Sequence, residues 1–225
     1  MHMRTIAISI NKGGVGKTTL TKTLACAATD AGLNVLMLDM DTQQNATNWG
    51  RRRARLNKPL PMARFTTEQD LPAELQRADE AGCDLLLIDT PPGRSSEALA
   101  AIEAAELVLI PFWNDQDAYD GVTKTAALTR RLTKPAFGVL NFVTPNSRSH
   151  EQAAREVLQA IGLPMAPPVL RRYDVHRLAN INGLTAQEMD PNSPAAAEIN
   201  ALWKWFSATL QLGKCALVHK KGAAS

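Results

Sequence analysis

The nine residues 11–19, Asn-Lys-Gly-Gly-Val-Gly-Lys-Thr-Thr, constrain the fold more than any other stretch of the chain. They follow an apolar run from Ile6 to Ile10 and begin a helical pattern, which predicts a strand, a glycine-rich loop and a helix. In that order the N–H groups of the loop close on phosphates, Lys17 reaches the outer phosphates, and the Thr18 hydroxyl binds Mg²⁺. A glycine-rich turn with chance lysines is the alternative. The pattern predicts a phosphate site made of Gly13, Gly14, Val15, Gly16, Lys17, Thr18 and Thr19.

The composition fits one globular α/β domain, with 225 residues, 45% hydrophobic and 21% charged. The apolar runs are too short to cross a membrane and the first residues fit no signal peptide, so we expect a cytoplasmic protein. The cysteines lie far apart and predict neither a metal site nor a disulfide framework: Cys26, Cys83 and Cys215. We expect a single domain over residues 1–212 and a flexible tail over residues 213–225.

Apolar runs alternate with helical patterns along the chain, which predicts a doubly wound, mostly parallel sheet flanked by helices. The strands are predicted over residues 5–10, 34–38, 62–65, 85–88, 107–111, 136–142 and, as a short piece, 168–170. The helices are predicted over residues 17–31, 67–81, 95–105, 121–132, 151–161 and 195–210. For the last helix, packing on the core is favoured over a membrane or partner contact. Ligands of such sheets bind at the carboxyl ends of the strands, where the glycine loop lies.

Several motifs resemble those of one family. Residues 12–18 resemble the deviant Walker A motif, Lys-Gly-Gly-x-Gly-Lys-Thr, of the family that includes ParA, MinD and the nitrogenase iron protein, although Asn11 replaces the glycine of the general phosphate-loop pattern. Residues 35–45 resemble the family's second motif, with Thr42 in place of proline, and residues 85–91 resemble its Walker B strand. Residues 182–185 and 188–191 are similar to the carboxy-terminal signature of the ParA branch.

The resemblance implies a P-loop NTPase fold of the deviant Walker type, with ATP and Mg²⁺ as cofactors. It implies three catalytic residues: Lys12, which reaches across a nucleotide-sandwich dimer, Lys17, and Asp41, which orients the attacking water. The expected Mg²⁺ site consists of Thr18, Asp39 and Asp89.

The sequence leaves other roles open for these carboxylates. Asp89 ends an apolar strand, where a carboxylate needs a charged partner such as bound Mg²⁺, or else caps the strand end. Asp39 and Asp41 follow a strand end and could instead cap a helix beginning near Gln43, an alternative that is stronger for Asp39.

Recognition of the base is less specific. Asn141 resembles the family's adenine-contacting asparagine, with a turn residue as the alternative. Residues 171–174 are expected to flank the base on another side. Asp117 resembles an aspartate that the family carries in a Pro-Ser-x-x-Asp loop, but residues 114–116 depart from that loop.

The net charge of +3 does not by itself indicate a nucleic-acid partner, but the basic residues are clustered. Residues 51–58 form a dense cluster, for which a solvated helix face is an equal alternative, and further lysines lie at 214–221. We expect Arg171, Arg172 and Arg177 to bind DNA with help from Lys204, because these arginines fall where the family of the resemblance places basic residues, on the face away from the nucleotide. The alternative is that Arg171 or Arg172 faces the nucleotide or a core carboxylate.

The function that the resemblance implies is an ATPase that dimerises on ATP, binds double-stranded DNA without sequence preference, and partitions a plasmid or chromosome. A ParB-like or other small adaptor protein would stimulate hydrolysis, and the dimer would associate with the nucleoid. Positioning of a protein cargo is an open alternative. A MinD-like role on a membrane is disfavoured because the tail is weakly apolar, so no stable membrane association is expected. An iron–sulfur carrier is disfavoured by the absence of paired cysteines.

Overall fold

The computed structural model describes residues 2–93, 95–144 and 147–212, and its centre is a sheet of parallel strands in the order β3-β2-β4-β1-β5-β6. The strands are β1 (Arg4–Ile8), β2 (Val35–Asp39), β3 (Met62–Phe65), β4 (Leu85–Asp89), β5 (Leu107–Phe112) and β6 (Ala136–Leu140). The helices are α1 (Lys17–Asp30), α2 (Asn45–Arg55), α3 (Leu71–Glu80), α4 (Ser96–Ala104), α5 (Gln116–Arg131), α6 (Arg148–Ala160), α7 (Asp174–Ile181), α8 (Ala186–Met189) and α9 (Pro194–Thr209). The expected flexible tail, residues 213–225, lies outside the described residues.

The sheet is covered on both faces, which is why its strands are apolar along their whole length. Every residue of β2, β4 and β5 is buried. The two faces pack into two separate clusters of buried side chains, one including Leu38, Ile88 and Phe112 and the other Ile8 and Leu87. The predicted doubly wound, parallel architecture is confirmed. Since parallel strands end together, the carboxyl ends of β1, β2 and β4 lie at one edge of the sheet.

The predicted strand over residues 168–170 is wrong. This segment forms only isolated bridges near it, Gly138 to Met165 and Val143 to Arg171, and the Leu170 N–H bonds the Leu140 carbonyl at 3.0 Å. With prolines at 167 and 168, the segment cannot supply the N–H groups of a full ladder. It runs beside β6 without becoming a seventh strand.

Some helices begin at residues other than the predicted ones, because a capping side chain sets the first turn. Helix α5 begins at Gln116, five residues before the predicted start, because the Asp115 carboxylate accepts the Ala118 N–H at 3.2 Å. The sequence patterns did not predict α7 or α8, and they indicated α2 only as a helix beginning near Gln43. Helix α8 is a single turn held by a capping box between Thr185 and Glu188, a pattern too short to give a hydrophobic periodicity.

The last helix, α9, packs on the core as predicted. Leu202 and Phe206 are fully buried, and the Phe137 ring meets Trp205 edge-on at 5.1 Å between centroids. Within the described residues, no helix combines the length and the apolar character that crossing a membrane requires.

Candidate functional site

The phosphate loop lies between β1 and α1, as predicted. Gly14 and Gly16 have φ angles of 78° and 90°, a region that favours glycine, and Gly16 is the N-cap of α1. A Cβ at Gly16 would lie 2.7 Å from the Phe142 ring and would also clash with the Asn141 amide, so only glycine fits there. The loop therefore presents main-chain N–H groups and the positive end of α1 to an anion.

The two lysines of the loop are held differently. Lys17 is 7% exposed and donates to the Lys12 carbonyl at 2.9 Å; burial lowers its pKa, while the charges of Asp89 and Asp41 oppose that shift. Lys12 points outward and pairs with Asp117 at 2.7 Å. The hydrogen bond that Lys12 donates to Asp117 raises the pKa of the lysine. Lys17 thus belongs to the interior of the site, and Lys12 lies at its rim.

Two carboxylates meet at the carboxyl edge of the sheet. Asp39 and Asp89 are register partners in the adjacent strands β2 and β4, and they are 0% and 1% exposed. Asp39 accepts the Thr47 N–H at 2.9 Å and the Asp41 N–H at 3.2 Å. Asp39 therefore binds the first turn of α2, as the alternative role of helix cap predicted. Burial raises the pKa of Asp39.

Asp89 has an unsatisfied oxygen. Its Oδ1 accepts a 3.4 Å hydrogen bond from the Thr21 hydroxyl, whereas its buried Oδ2 has no partner among the described residues. Burial raises the pKa of Asp89 to about 7; the nearby Thr18 hydroxyl and the positive charge of Lys17 oppose that shift, and the negative charge of Asp39 adds to it. Carboxylate and hydroxyl oxygens are the ligands that Mg²⁺ prefers. The orphaned oxygen beside Thr18 fits a Mg²⁺ ion or one of its bound waters.

Asp41 lines the cavity above the loop. This cavity has a volume of about 270 Å³, and its walls also include Asn45, Pro92 and Phe142 besides residues 13–14 and 16–19 of the loop. The Asp41 carboxylate accepts the Gln43 N–H at 2.9 Å, a turn contact that leaves oxygen lone pairs for a water. The site residues predicted around the phosphates are thus brought together, and the roles given to them remain predictions.

A larger cavity of about 560 Å³ lies beside the loop, between α4 and α5. Among the described residues, its walls carry Lys124 and Arg131 but no carboxylate, and of the loop they include only Asn11. The glycines, Lys17, Thr18 and Asp41 line the smaller cavity. The smaller cavity is therefore the one that brings together the residues predicted to bind phosphate.

Asn141 is buried against the phosphate loop. Its Nδ2 donates to the Val15 carbonyl at 3.0 Å, and its Oδ1 accepts the Phe142 N–H at 3.0 Å. The side chain thus makes the main-chain contact expected of a turn residue, which was the alternative to adenine binding. It also holds the middle of the phosphate loop in place. Contact with adenine remains a prediction.

The four residues predicted to bind DNA have unequal environments. Arg171 forms a 2.6 Å ion pair with Glu198 of α9, which also accepts the Arg171 N–H at 2.7 Å. Arg171 therefore faces a carboxylate of the core, which was the alternative to DNA binding at this position. Arg172, Arg177 and Lys204 are exposed.

Sequence reasoning missed two buried cations behind the site. Lys22, on α1, is 7% exposed, donates to the Asn180 side chain at 2.8 Å and lies 5.7 Å from the Trp49 ring centroid; burial lowers its pKa to about 8. Arg53, within the basic cluster, is 4% exposed and pairs with Glu188 at 2.7 Å. The sequence offers one relevant pattern, Glu188 three residues after Thr185. This pattern predicts the capping box of α8 but not the pairing of Glu188 with Arg53.

Comparisons with known proteins agree with this geometry. The chain is 30% identical over 203 residues to the maintenance of carboxysome distribution protein A of Gloeobacter kilaueensis, covering 88% of this chain and 90% of that protein. It is 29% identical to the chromosome partitioning protein ParA of Myxococcus xanthus, over 70% of each chain. The fold matches the cell division ATPase MinD of Pyrococcus furiosus, with a TM-score of 0.76 at 19% identity over 92% of this chain and all of that one. The sequence profile of the CobQ/CobB/MinD/ParA nucleotide-binding domains matches residues 6–184, and the chain belongs to this family.

Proposed function

We propose that this protein is a ParA-type ATPase that binds ATP with Mg²⁺ and hydrolyses it to ADP and phosphate. The observation that carries the proposal is the buried Oδ2 of Asp89, which has no hydrogen-bond partner among the described residues and lies beside the phosphate loop and across from Asp39. A buried carboxylate oxygen without a partner is costly unless a cation completes it. The family's nucleotide-binding domain and the structures of similarly folded proteins in complex with ATP and with Mg-ADP support the same cofactors.

Each residue of the site has a role in this reaction. The loop N–H groups and Lys17 hold the phosphates, and Thr18 and Asp89 would hold Mg²⁺ with Asp39 beside them. Bound Mg²⁺ neutralises charge on the phosphate oxygens. Asp41 orients a water for attack on the terminal phosphate. Because phosphoryl transfer depends on positioning and charge more than on covalent chemistry, these groups suffice for slow hydrolysis.

The wider role that we propose is partition of DNA by an ATP-sandwich dimer. Lys12 lies at the rim of the site, where it could reach the phosphates of a partner subunit. A dimer doubles the exposed basic residues Arg172, Arg177 and Lys204, which supports ATP-dependent binding to duplex DNA and to the nucleoid. A small adaptor protein bound to the cargo would stimulate hydrolysis.

A second role, positioning of a protein cargo, is supported by a specific observation. The carboxysome distribution proteins of G. kilaueensis and Halothiobacillus neapolitanus each match 88% of this chain. A neighbouring gene for a small DNA-binding protein with a repeated site would favour DNA partition. Its absence beside a gene for a protein cargo would favour positioning.

The ATPase proposal is tested by phosphate release with and without Mg²⁺. The wild-type protein should release phosphate only with Mg²⁺, and Asp89→Asn should lose that dependence together with most of the activity. Glu103→Gln, an exposed change on α4, is the matched control and should behave as wild type. Full Mg²⁺-dependent turnover in Asp89→Asn would refute the metal assignment.

A further inference from the structure

A buried arginine fixes the loop between α2 and β3. Arg53 donates through Nε and Nη2 to the Leu60 carbonyl at 3.1 and 2.6 Å, and through Nη1 to the Gly183 carbonyl at 3.1 Å. Its guanidinium lies 4.7 Å from the centroid of the Trp49 ring. The loop over residues 56–61 is therefore tied to α2 and to the turn before α8, and its outer side chains are held in place.

This fixed loop presents large apolar side chains to solvent. Leu56, Leu60 and Met62 are 50%, 53% and 50% exposed, and all three lie within one stretch of seven residues. Arg55 and Lys58 are exposed between and beside them. Clustered apolar exposure with a charged surround is typical of an interaction surface rather than of a random scatter of side chains. We call residues 55–62 the α2–β3 surface.

The surface continues onto an open strand. β3 is at the end of the sheet order, and no other described strand pairs with its outer side. Helix α2 packs on one face of β3, where Gly50 meets Ala63, while Met62 and Arg64 alternate outward. An outer strand with free main-chain groups is a template for an added extended segment.

The charge of the surface selects the chemistry of that segment. Glu74 is shared by Arg64 at 2.7 Å and Arg77 at 2.6 Å, and Glu188 is shared by Arg53 and Lys58. Each of these acids is thus offset by two cations, and Arg51 and Arg55 add further positive charge. A second copy of the chain would bring like charges together, and a nucleic acid would not use the exposed leucines. Glu68 and Asp70 lie beyond the opposite, carboxyl end of β3.

We propose that the α2–β3 surface and the outer edge of β3 bind an extended, acidic and apolar segment of a partner protein. The segment would lie beside β3, with its carboxylates near Arg55 and Lys58 and its apolar side chains on Leu60 and Met62. This site is at the amino end of β3, whereas the phosphate loop is at the carboxyl end of β1. Binding therefore needs neither ATP nor dimerisation, and it does not depend on the function proposed above.

The test uses a fluorescein-labelled peptide of alternating glutamate and valine, about a dozen residues long to span an average strand with margin. Its fluorescence anisotropy with the wild-type protein should show saturable binding without nucleotide, and Lys17→Ala should bind equally well. The double variant Leu60→Ser/Met62→Ser and the single variant Arg55→Glu should each bind roughly tenfold more weakly, about 1.4 kcal/mol. A lysine–valine peptide should not bind the wild type.

Two matched controls separate the surface from general charge or hydrophobicity. Lys124→Glu reverses an exposed charge on α5, and Leu178→Ser removes a 42% exposed leucine on α7. Both should bind the acidic peptide as wild type does. Circular dichroism shows whether each variant is folded, and the side chains changed on the surface and in the two controls are all exposed.

Failure of the acidic peptide to bind, or equal binding by the wild type and the double variant, overturns the proposal. Cosedimentation with vesicles of phosphatidylglycerol and phosphatidylcholine that disappears in Leu60→Ser/Met62→Ser, without peptide binding, would make the surface a membrane-binding site instead. Binding of duplex DNA that disappears in Arg55→Glu but persists in the double variant, without peptide binding, would make it a nucleic-acid site.

Discussion

Asp39 and Asp89 are register partners on neighbouring parallel strands, and both are buried at the edge of the sheet where the phosphate loop lies. Asp39 is satisfied by main-chain N–H groups at the start of α2, whereas Asp89 keeps one oxygen without a partner among the described residues. The register places the two carboxylates side by side, and because the main-chain N–H groups at the start of α2 satisfy only Asp39, Asp89 is left available to a cation.

Asp89 makes the stability of the nucleotide-free protein depend on pH. Burial raises its pKa from 3.8 to about 7, so the folded protein retains a proton that the unfolded chain releases. This contribution to stability is present below about pH 4 and is lost as the pH rises to about 7. In Asp89→Asn the free energy of unfolding should vary less across this window and exceed that of wild type at high pH, by up to about 4 kcal/mol. Urea titrations without Mg²⁺ at a series of pH values measure the free energy of unfolding of both proteins. Identical pH profiles would contradict the raised pKa of Asp89.

Lys12 should be required for the ATP-dependent dimer. In the single chain it pairs with the exposed Asp117 at 2.7 Å, and a surface pair of this kind costs little to exchange for a phosphate. With a non-hydrolysable ATP analogue, light scattering should show dimers of the wild type and monomers of Lys12→Ala. Lys124→Ala is a matched lysine control. If Lys12→Ala dimerises as well as the wild type, Lys12 does not contact the nucleotide of the partner subunit.

Asp41 and Lys17 should fail at different steps. Asp41→Ala should bind ATP and dimerise but hardly hydrolyse, because the phosphate loop is intact while the water is not oriented. Lys17→Ala should fail at nucleotide binding, since it removes the buried cation of the loop. Binding is measured with a fluorescent ATP analogue and turnover by phosphate release. Unimpaired turnover in Asp41→Ala would leave this carboxylate only its turn contact with Gln43.

Arg177 should contribute to nonspecific DNA binding. It is exposed on α7, whereas Arg171 is held by Glu198 and its substitution would disturb the fold. Arg177→Glu with ATP should weaken binding to duplex DNA of arbitrary sequence and flatten its salt dependence, by about 0.9 in the log–log slope for each DNA phosphate that is no longer neutralised. Affinity equal to wild type at matched salt would exclude this patch. The cluster at residues 51–58 would then be the next candidate.

Arg53 should matter for stability more than any exposed arginine. Its removal leaves Glu188 largely buried with only the more distant Lys58, at 3.5 Å, as a cationic partner. Arg53→Met should therefore lower the free energy of unfolding by about 3–5 kcal/mol. Arg51→Met, at an exposed position of the same helix, should change it by less than about 0.5 kcal/mol. Denaturant titration compares the two, and equal effects would contradict the structural role of Arg53.

The sequence predicted the six strands of the sheet and the glycine-rich loop between β1 and α1 because both depend on local patterns, although it also predicted a strand over residues 168–170 that does not form. Apolar runs of fixed length predict buried parallel strands, and the spacing from Gly13 to Thr18 predicts the loop. Contacts between distant residues were not readable. The pairing of Arg171 with Glu198 joins residues on different elements, and the basic cluster at 51–58 gave no sign that Arg53 is buried while Arg55 is exposed.

Asn141 ties the middle of the phosphate loop to the end of β6, through its bond to the Val15 carbonyl. The same side chain fills the space that any residue larger than glycine would need at position 16. A substitution at this asparagine would therefore shift the loop and alter the affinity for phosphate. Any preference for one nucleobase that Asn141 provides cannot be changed without also changing how tightly the nucleotide is held.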